Sequence, residues 1–314
     1  MIDDDPLPLL FRTTGLGSGS REATRLRRAA AAGRLRRLHP GSFVARHDWD
    51  ALTPRRRHVL LVESALGRTG PRHVVSHLSA AALLGSPVLR DWPDRVHVTD
   101  PDARGAQSTA AVVKHPGPLE DDEVSSLRGT SLTTPARTAA DLALGTRSLD
   151  EVTVVVDDLL HRGLTTKEAV LASLDRRPRA RGQTGARRAL AFADDRSESA
   201  GESLTRVLLH QLGAPAPVLQ RRFELGRGRW DPHVDFWFPE QGCVLEFDGV
   251  VKYTQSRWRG SLTPEQVVVK EKIREDAIRA RPEVHSFVRC TWWHLGDPRR
   301  LRTLLVSAGV PCSR

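Results

Sequence analysis

His233-Val-Asp-Phe-Trp-Phe-Pro-Glu-Gln-Gly-Cys-Val-Leu-Glu-Phe-Asp-Gly249 holds two aromatic and β-branched runs, His233 to Phe238 and Cys243 to Asp248. Between them Pro239-Glu-Gln-Gly242 has turn composition. The stretch predicts two antiparallel strands. With the turn centred between Glu240 and Gln241, positions summing to about 481 stand opposite one another, which sets Asp235 against Glu246 with Cβ atoms about 5 Å apart. Asp248, two residues on, shares that face. Like charges directly opposed destabilise a sheet, and crowded carboxylates need compensation. Hard oxygen ligands in a small cluster suit Mg2+ or Mn2+, and such an ion could bind phosphate and activate water. The alternative is a solvated hairpin edge carrying unrelated acids, and a register slip of one residue would separate Asp235 from Glu246.

Working outward, residues 197–314 read as a full domain. A helix near Gly201 to Leu212 is followed by strands at Val218 to Leu225, His233 to Phe238 and Cys243 to Asp248. A helix near Pro264 to Arg281, a strand near Val284 to Trp292 and a last helix near Pro298 to Ser307 complete an αβββαβα order. Upstream, residues 175–196 open on Asp175-Arg-Arg-Pro-Arg-Ala-Arg-Gly-Gln-Thr-Gly185, which lacks apolar periodicity and reads as a basic linker running into a helix. Residues 53–174 alternate helical and extended pieces. In that middle region Glu120-Asp-Asp-Glu123 reads as a solvated charge run, and His73, His77, His97 and His115 show no metal-ligand spacing. The fold class expected is α/β in a multi-domain α+β arrangement.

The net charge of +10 is unevenly spread. Between Arg12 and Arg57 twelve arginines face only Glu22, Asp48 and Asp50. In residues 1–52, Ala23, Leu26, Ala29 and Ala30 fall at helical spacing and Gly33 stops the pattern, while Arg21, Arg25 and Arg28 occupy the other face. His39-Pro-Gly41 then suits a short hairpin whose first strand carries Arg36 and Arg37. A basic helix followed by a β-wing is how winged helix-turn-helix domains enter a groove and touch the backbone; an ordinary solvated amphipathic helix is the other reading. These five arginines are the candidate DNA contacts. No apolar run reaches the roughly 18 residues of a membrane span, the start Met1-Ile-Asp-Asp-Asp-Pro6 lacks a signal-peptide pattern, and Cys243, Cys290 and Cys312 read as reduced thiols. A cytoplasmic protein is expected, with DNA as partner and no membrane.

Ser199-Ala-Gly-Glu-Ser203 with Arg206, Val234-Asp-Phe, Leu245-Glu-Phe-Asp-Gly249, Glu271-Lys-Ile-Arg-Glu-Asp276 and Val288-Arg-Cys-Thr-Trp292, in αβββαβα order, resemble the PD-(D/E)XK nuclease superfamily. The likeness is to the branch related to very-short-patch-repair endonucleases. It implies a restriction-endonuclease-like domain in which Asp235 and Glu246 hold Mg2+ or Mn2+, Asp248 is a further acid of the site, and Glu202 reaches it from the first helix. The chain departs from the pattern where Asp248 replaces the usual lysine and Lys252 stands where free-standing relatives carry His. Lys252 could steady the attacking hydroxide.

The basic helix and wing, Val75-Ser-His-Leu-Ser-Ala-Ala-Ala-Leu-Leu-Gly85 and Thr133-Thr-Pro-Ala-Arg-Thr-Ala-Ala-Asp-Leu142 resemble AbiEi-type antitoxins of type IV toxin-antitoxin systems. That resemblance implies an N-terminal winged helix that binds promoter DNA and a nucleotidyltransferase-like toxin as partner. Two functions therefore compete. One is a metal-dependent DNA endonuclease addressed by its winged helix; the other is a non-enzymatic transcriptional repressor or antitoxin.

Overall fold

A computed structural model of the 314-residue chain describes residues 6–13, 15–16, 20–66, 73–103, 105, 108–145, 148–224, 231–249 and 264–314. Among these residues it is a mixed α/β protein with twelve helices and three sheets. The chain forms two compact units, Met1–Phe192 and Ala193–Arg314.

The first unit begins with a strand, β1 (Phe11–Arg12), and the helix α1 (Arg21–Ala31). Ser20 caps α1, its hydroxyl accepting from the Ala23 amide. The hairpin β2 (Leu35–His39) and β3 (Ser42–Ala45) turns through Pro40 and Gly41, where a φ of 79° suits glycine. Strand order is β1-β3-β2. Helices α2 (Arg46–Ala51) and α3 (Pro54–Leu66) follow, and Val44, Trp49 and Leu60 form a small core with Leu38, Leu52 and Leu61 around it.

The remainder of this unit is a five-stranded sheet of order β6-β5-β4-β8-β7 with helices packed on it. Its strands are β4 (Val74–Val75), β5 (Val96–Asp100), β6 (Val112–Pro116), β7 (Val124–Leu127) and β8 (Thr130–Thr133). The alanine-rich helix α4 (His77–Leu84) buries Ala80, Ala81 and Ala82 where small side chains let it lie close to α5 (Pro135–Gly145). Next come α6 (Leu149–His161), α7 (Lys167–Asp175) and α8 (Gln183–Phe192). The stretch expected as a linker belongs to this unit. Arg176 pairs with Asp122, Arg177 reaches Glu123 and Asp141, and α8 buries Ala186, Ala189 and Leu190. Arg176 and Arg177 are thus ion-pair partners for acids remote in sequence. Glu123 likewise is buried rather than solvated, bonded to Arg137 and Ser173.

The second unit contains α9 (Ala200–Gln211), β9 (Val218–Arg222), β10 (His233–Phe238), β11 (Cys243–Phe247), α10 (Pro264–Arg279), β12 (Ser286–Cys290), α11 (Trp292–Leu295) and α12 (Pro298–Ser307). Sheet order is β12-β11-β10-β9, antiparallel except for the parallel β11–β12 pair. The register Phe236↔Leu245, Trp237↔Val244 and Phe238↔Cys243 is the one expected from the turn. One face packs Phe236, Phe238, Cys243, Leu245 and Phe247 against Leu208 and Leu209 of α9 and Leu301 and Leu305 of α12. The other packs Phe223, Val234, Trp237, Val244 and Phe287 around Ile278 of α10. Gly201 is required where α9 crosses the sheet, since a Cβ there would lie 2.0 Å from the Phe247 ring. Among the described residues no helix is long and apolar enough to cross a membrane.

Candidate functional site

Asp235 sits at a break in the β10 pleat. Val234 and Trp237 share one core while Phe236 and Phe238 share the other, so side-chain alternation slips between Val234 and Phe236. Across from it Gln220 of β9 holds a φ of 50°. The Asp235 carboxylate consequently turns into the sheet and accepts the Phe247 amide at 2.7 Å. The paired residues of β10 and β11 end at Phe236 and Leu245, and the charge of Asp235 acts together with that of Glu246 on Arg274.

Glu246, 7% exposed, points to the α10 face. Its Oε1 pairs with Arg274 of α10, and its Oε2 lies 3.5 Å from Arg289 Nε on β12. Arg274 also meets Glu271 at 2.7 Å, and Arg289 meets Glu271 and Glu275, each at 2.9 Å. Burial opposes the charge on both arginines, but the hydrogen bond and charge of Glu246 with the neighbouring acids raise both above the usual guanidinium range. The positive charge demanded by Glu246 is therefore supplied by arginine. A divalent cation at Glu246 would meet two guanidiniums, so the residues as arranged do not fit Mg2+ or Mn2+.

Asp248 is half-buried, and its amide donates to the Cys290 carbonyl at 2.8 Å, extending the β11–β12 pairing. Burial, with the charges of Asp235 and Asp248 added, pushes the Cys290 thiol up to about 12, so it stays protonated. Glu202 lies in a capping arrangement at the start of α9. Its carboxylate accepts from Ser199 Oγ at 2.7 Å, the Glu198 amide at 2.9 Å and Gln220 Nε2 at 3.1 Å, while its own amide donates to Ser199 Oγ. Glu202 thus joins the start of α9 to Gln220 of β9. Lys252 lies outside the described residues. Among the described residues no group of three or more His, Cys, Asp or Glu side chains is placed to hold a metal ion. Trp293 is 61% exposed under the Arg300 guanidinium, which sits 4.2 Å from the ring centroid.

The basic front is open. Arg21, Arg25 and Arg28 lie along one exposed face of α1, the spacing that brings side chains of successive turns together. Arg37 on β2 and Arg27 on α1 line a cleft of about 840 Å³ between helix and hairpin, with Thr13, Gly41 and Phe43 at its floor. Arg36 is exposed and lies 4.5 Å over the Trp49 ring, a stacking that holds its guanidinium in place. Among the described residues the side chains of Arg21, Arg25, Arg27, Arg28, Arg34 and Arg37 have no acidic partner, so their charge is available to a ligand.

No family model matches the chain. It is 31% identical over 179 residues to the uncharacterized proteins MT2308 and Rv2248 of Mycobacterium tuberculosis, a stretch that covers 57% of this chain and 64% of each relative. The chain thus spans less than two thirds of the length of those relatives. Among solved structures it is similar to the RV2827C protein of Mycobacterium tuberculosis, with a TM-score of 0.37 and 16% identity over 64% of this chain and 76% of the other.

Proposed function

We propose that this chain is a DNA-binding regulator that grips the phosphate backbone with α1 and the β2–β3 hairpin used as a winged helix. The observation that carries the reading is the row of unpaired, exposed arginines on α1 and the hairpin, in contrast with the ion-paired arginines of the second unit. A helix of 16.5 Å or so, at about 1.5 Å per residue, spans enough of a major groove to place several guanidiniums on phosphates. The second unit is proposed as a restriction-endonuclease-like scaffold that contributes binding surface. Its Glu246 is neutralised by Arg274 and Arg289, and its Glu202 holds a helix cap. The AbiEi-type resemblance extends the proposal to a role in repression, with a nucleotidyltransferase-like toxin as protein partner.

Replacing both Arg25 and Arg28 with alanine is expected to weaken DNA binding at least tenfold at moderate salt and to lower the slope of log K against log salt by about 2. Fluorescence anisotropy with duplex DNA across a salt series measures both. An unchanged slope removes α1 as the contact. Cleavage, the competing function, has support in the motif likeness and in the closeness of Asp235 and Asp248 to Cys290. Incubating the chain with supercoiled, nicked and mismatched DNA in Mg2+, Mn2+ or EDTA is expected to leave every substrate intact; a metal-dependent product lost in Glu246→Ala would decide for the nuclease.

A further inference from the structure

Three histidines distant in sequence meet in the first unit. Parallel pairing of β5 with β6 sets Thr99 beside His115, and His97 Nδ1 lies 3.0 Å from His115 Nε2. His77, at the start of α4, stacks on His115 with ring centroids 3.6 Å apart and the planes 17° from parallel. Ser76 Oγ holds His77 Nδ1 at 2.9 Å. His77 also adopts a φ of 52°, a left-handed conformation that a residue with a Cβ keeps only where its surroundings enforce it. Burial, with the neighbouring histidines added, lowers His77 well below the ordinary imidazole range and His97 to about 4, so these rings are neutral at physiological pH.

His77 and His115 form one wall of an open cleft of about 840 Å³. Facing them are Thr99, Asp141 and the arginines 137, 176, 177, 179 and 181. Several of these cations are already used. Arg137 bonds Asp141 and Glu123, Arg176 forks onto Asp122, and Arg177 gives its two Nη atoms to Asp141 and Ser173, leaving Nε. Arg179 and Arg181 are exposed and have no side-chain partner among the described residues. Three polar atoms on lining residues are buried and meet no hydrogen-bond partner, namely Thr99 Oγ1, Asp141 Oδ2 and Arg177 Nε. Thr99 is 1% exposed and Asp141 5%. Leaving buried donors and acceptors unpaired is costly, and three such atoms on one cleft call for a common partner. The combination of free guanidiniums, a carboxylate oxygen and a hydroxyl asks for a ligand that is anionic at one end and hydroxylated at the other.

We propose that this cleft is a binding site for a phosphomonoester, the phosphate held by Arg177, Arg179 and Arg181 and the hydroxyl-bearing remainder by Asp141, Thr99 and the imidazole wall. The phosphomonoester is either a free nucleotide-like molecule or the 5′-phosphorylated end of a nucleic-acid strand. The site lies apart from α1 and does not depend on its contact with duplex DNA.

Isothermal titration of the full chain with inorganic phosphate, a nucleoside 5′-monophosphate and its unphosphorylated nucleoside tests the first source. A short single strand with and without its 5′-phosphate, titrated into the Arg25→Ala/Arg28→Ala variant, tests the second. A phosphorylated probe is expected to bind with a Kd below about 1 mM while its unphosphorylated counterpart does not. The nucleotide arm assigns a small molecule and the strand arm a strand end. Arg179→Ala/Arg181→Ala, at exposed positions, is expected to weaken binding about tenfold at unchanged Tm. Thr99→Val is expected to weaken binding about fivefold without lowering the Tm of the free protein, since a methyl replaces an unpaired hydroxyl of similar shape. Absence of saturable binding by every phosphorylated probe, or binding that both variants leave intact, overturns the proposal.

Discussion

Replacing Arg137 with methionine is expected to cost about 3–5 kcal/mol, the largest loss from a single substitution in the first unit. Arg137 is 4% exposed and joins three partners, with Nη1 2.6 Å from Glu123 Oε2 and 3.0 Å from the Pro118 carbonyl, and Nε 2.8 Å from Asp141 Oδ1. Arg177 stands 3.7 Å from Glu123 and 3.4 Å from Asp141, so two buried acids meet two guanidiniums. Removing one cation leaves a net negative charge on two acids that are each about 5% exposed. The two acids already differ in response. Burial acts to raise Glu123, yet Ser173, Arg137 and Arg177 bring it below its usual value; at Asp141 burial prevails and the carboxyl is raised. The contrast is Arg176→Ala, which breaks an equally short pair with Asp122 whose side chains are 43% and 65% exposed and screened by solvent, and should leave the urea midpoint nearly unchanged. Adding Asp141→Leu to Arg137→Met should restore part of the loss, because the acid left unpaired is removed with its partner. Urea denaturation of the three variants measures this. A cost for Arg137→Met similar to that of Arg176→Ala would show that the cluster is solvated.

The same residues mark where local sequence stops being informative. The β10–β11 register was readable because the turn residues and the aromatic runs lie within a few residues of one another, and the order of helices and strands in the second unit follows from periodicity in the same way, apart from the short α11 that begins where the last strand was expected to end. Helix α1 and its hairpin were readable from Gly33, Gly41 and the apolar spacing. What failed required distant partners. Glu271-Lys-Ile-Arg-Glu275 has the spacing of an intrahelical ion-pair face, and Arg274 does bond Glu271, but it also crosses to Glu246, 28 residues away. Glu123 in its acidic run is indistinguishable from a solvated acid until Arg137 and Ser173 are brought to it. The histidine cluster has no spacing to detect, because its members come from α4, β5 and β6 and only the parallel pairing of β5 and β6 aligns them. At Asp235 the register was readable and the break in the pleat was not, since that break is a response to both packed faces and leaves no local mark.

Acidification should destabilise the first unit well above the range where carboxylates titrate, and the wiring of His58 gives the reason. Its Nδ1 lies 2.8 Å from the Pro93 carbonyl and its Nε2 2.9 Å from Ser79 Oγ, while Ser79 Oγ accepts the His97 amide at 2.8 Å. The Pro93 carbonyl can only accept, so Nδ1 carries the proton and donates; Ser79 then donates its hydroxyl to Nε2. That chain closes only around a neutral imidazole. A second ring proton would point at the hydroxyl hydrogen of Ser79 in a site where His58 is 1% exposed and stacks on Trp92. Burial is the main cause of its lowering to about 4, opposed by the Pro93 bond and by Asp94. His97 is lowered to about 4 as well, again chiefly by burial and then by His115 and His58. The sign follows from which state takes the proton first. Below the ordinary histidine value of 6.5 the unfolded chain is protonated while the folded chain is not, so stability is complete above pH 6.5 and falls until the folded groups titrate near pH 4. At pH 5 each of the two histidines should cost about 2 kcal/mol relative to pH 7.5. Asp100 and Glu123, whose bonds to neighbouring side chains outweigh burial and lower them, lose their contributions only at more acidic pH, which separates the two effects. The urea midpoint of the first unit, followed from pH 7.5 to pH 5, should therefore drop steeply, and His58→Gln should be less stable at pH 7.5 yet lose less on acidification. A midpoint that holds constant across this interval would mean that His58 and His97 accept protons in the folded state, and that the Ser79 chain can reverse.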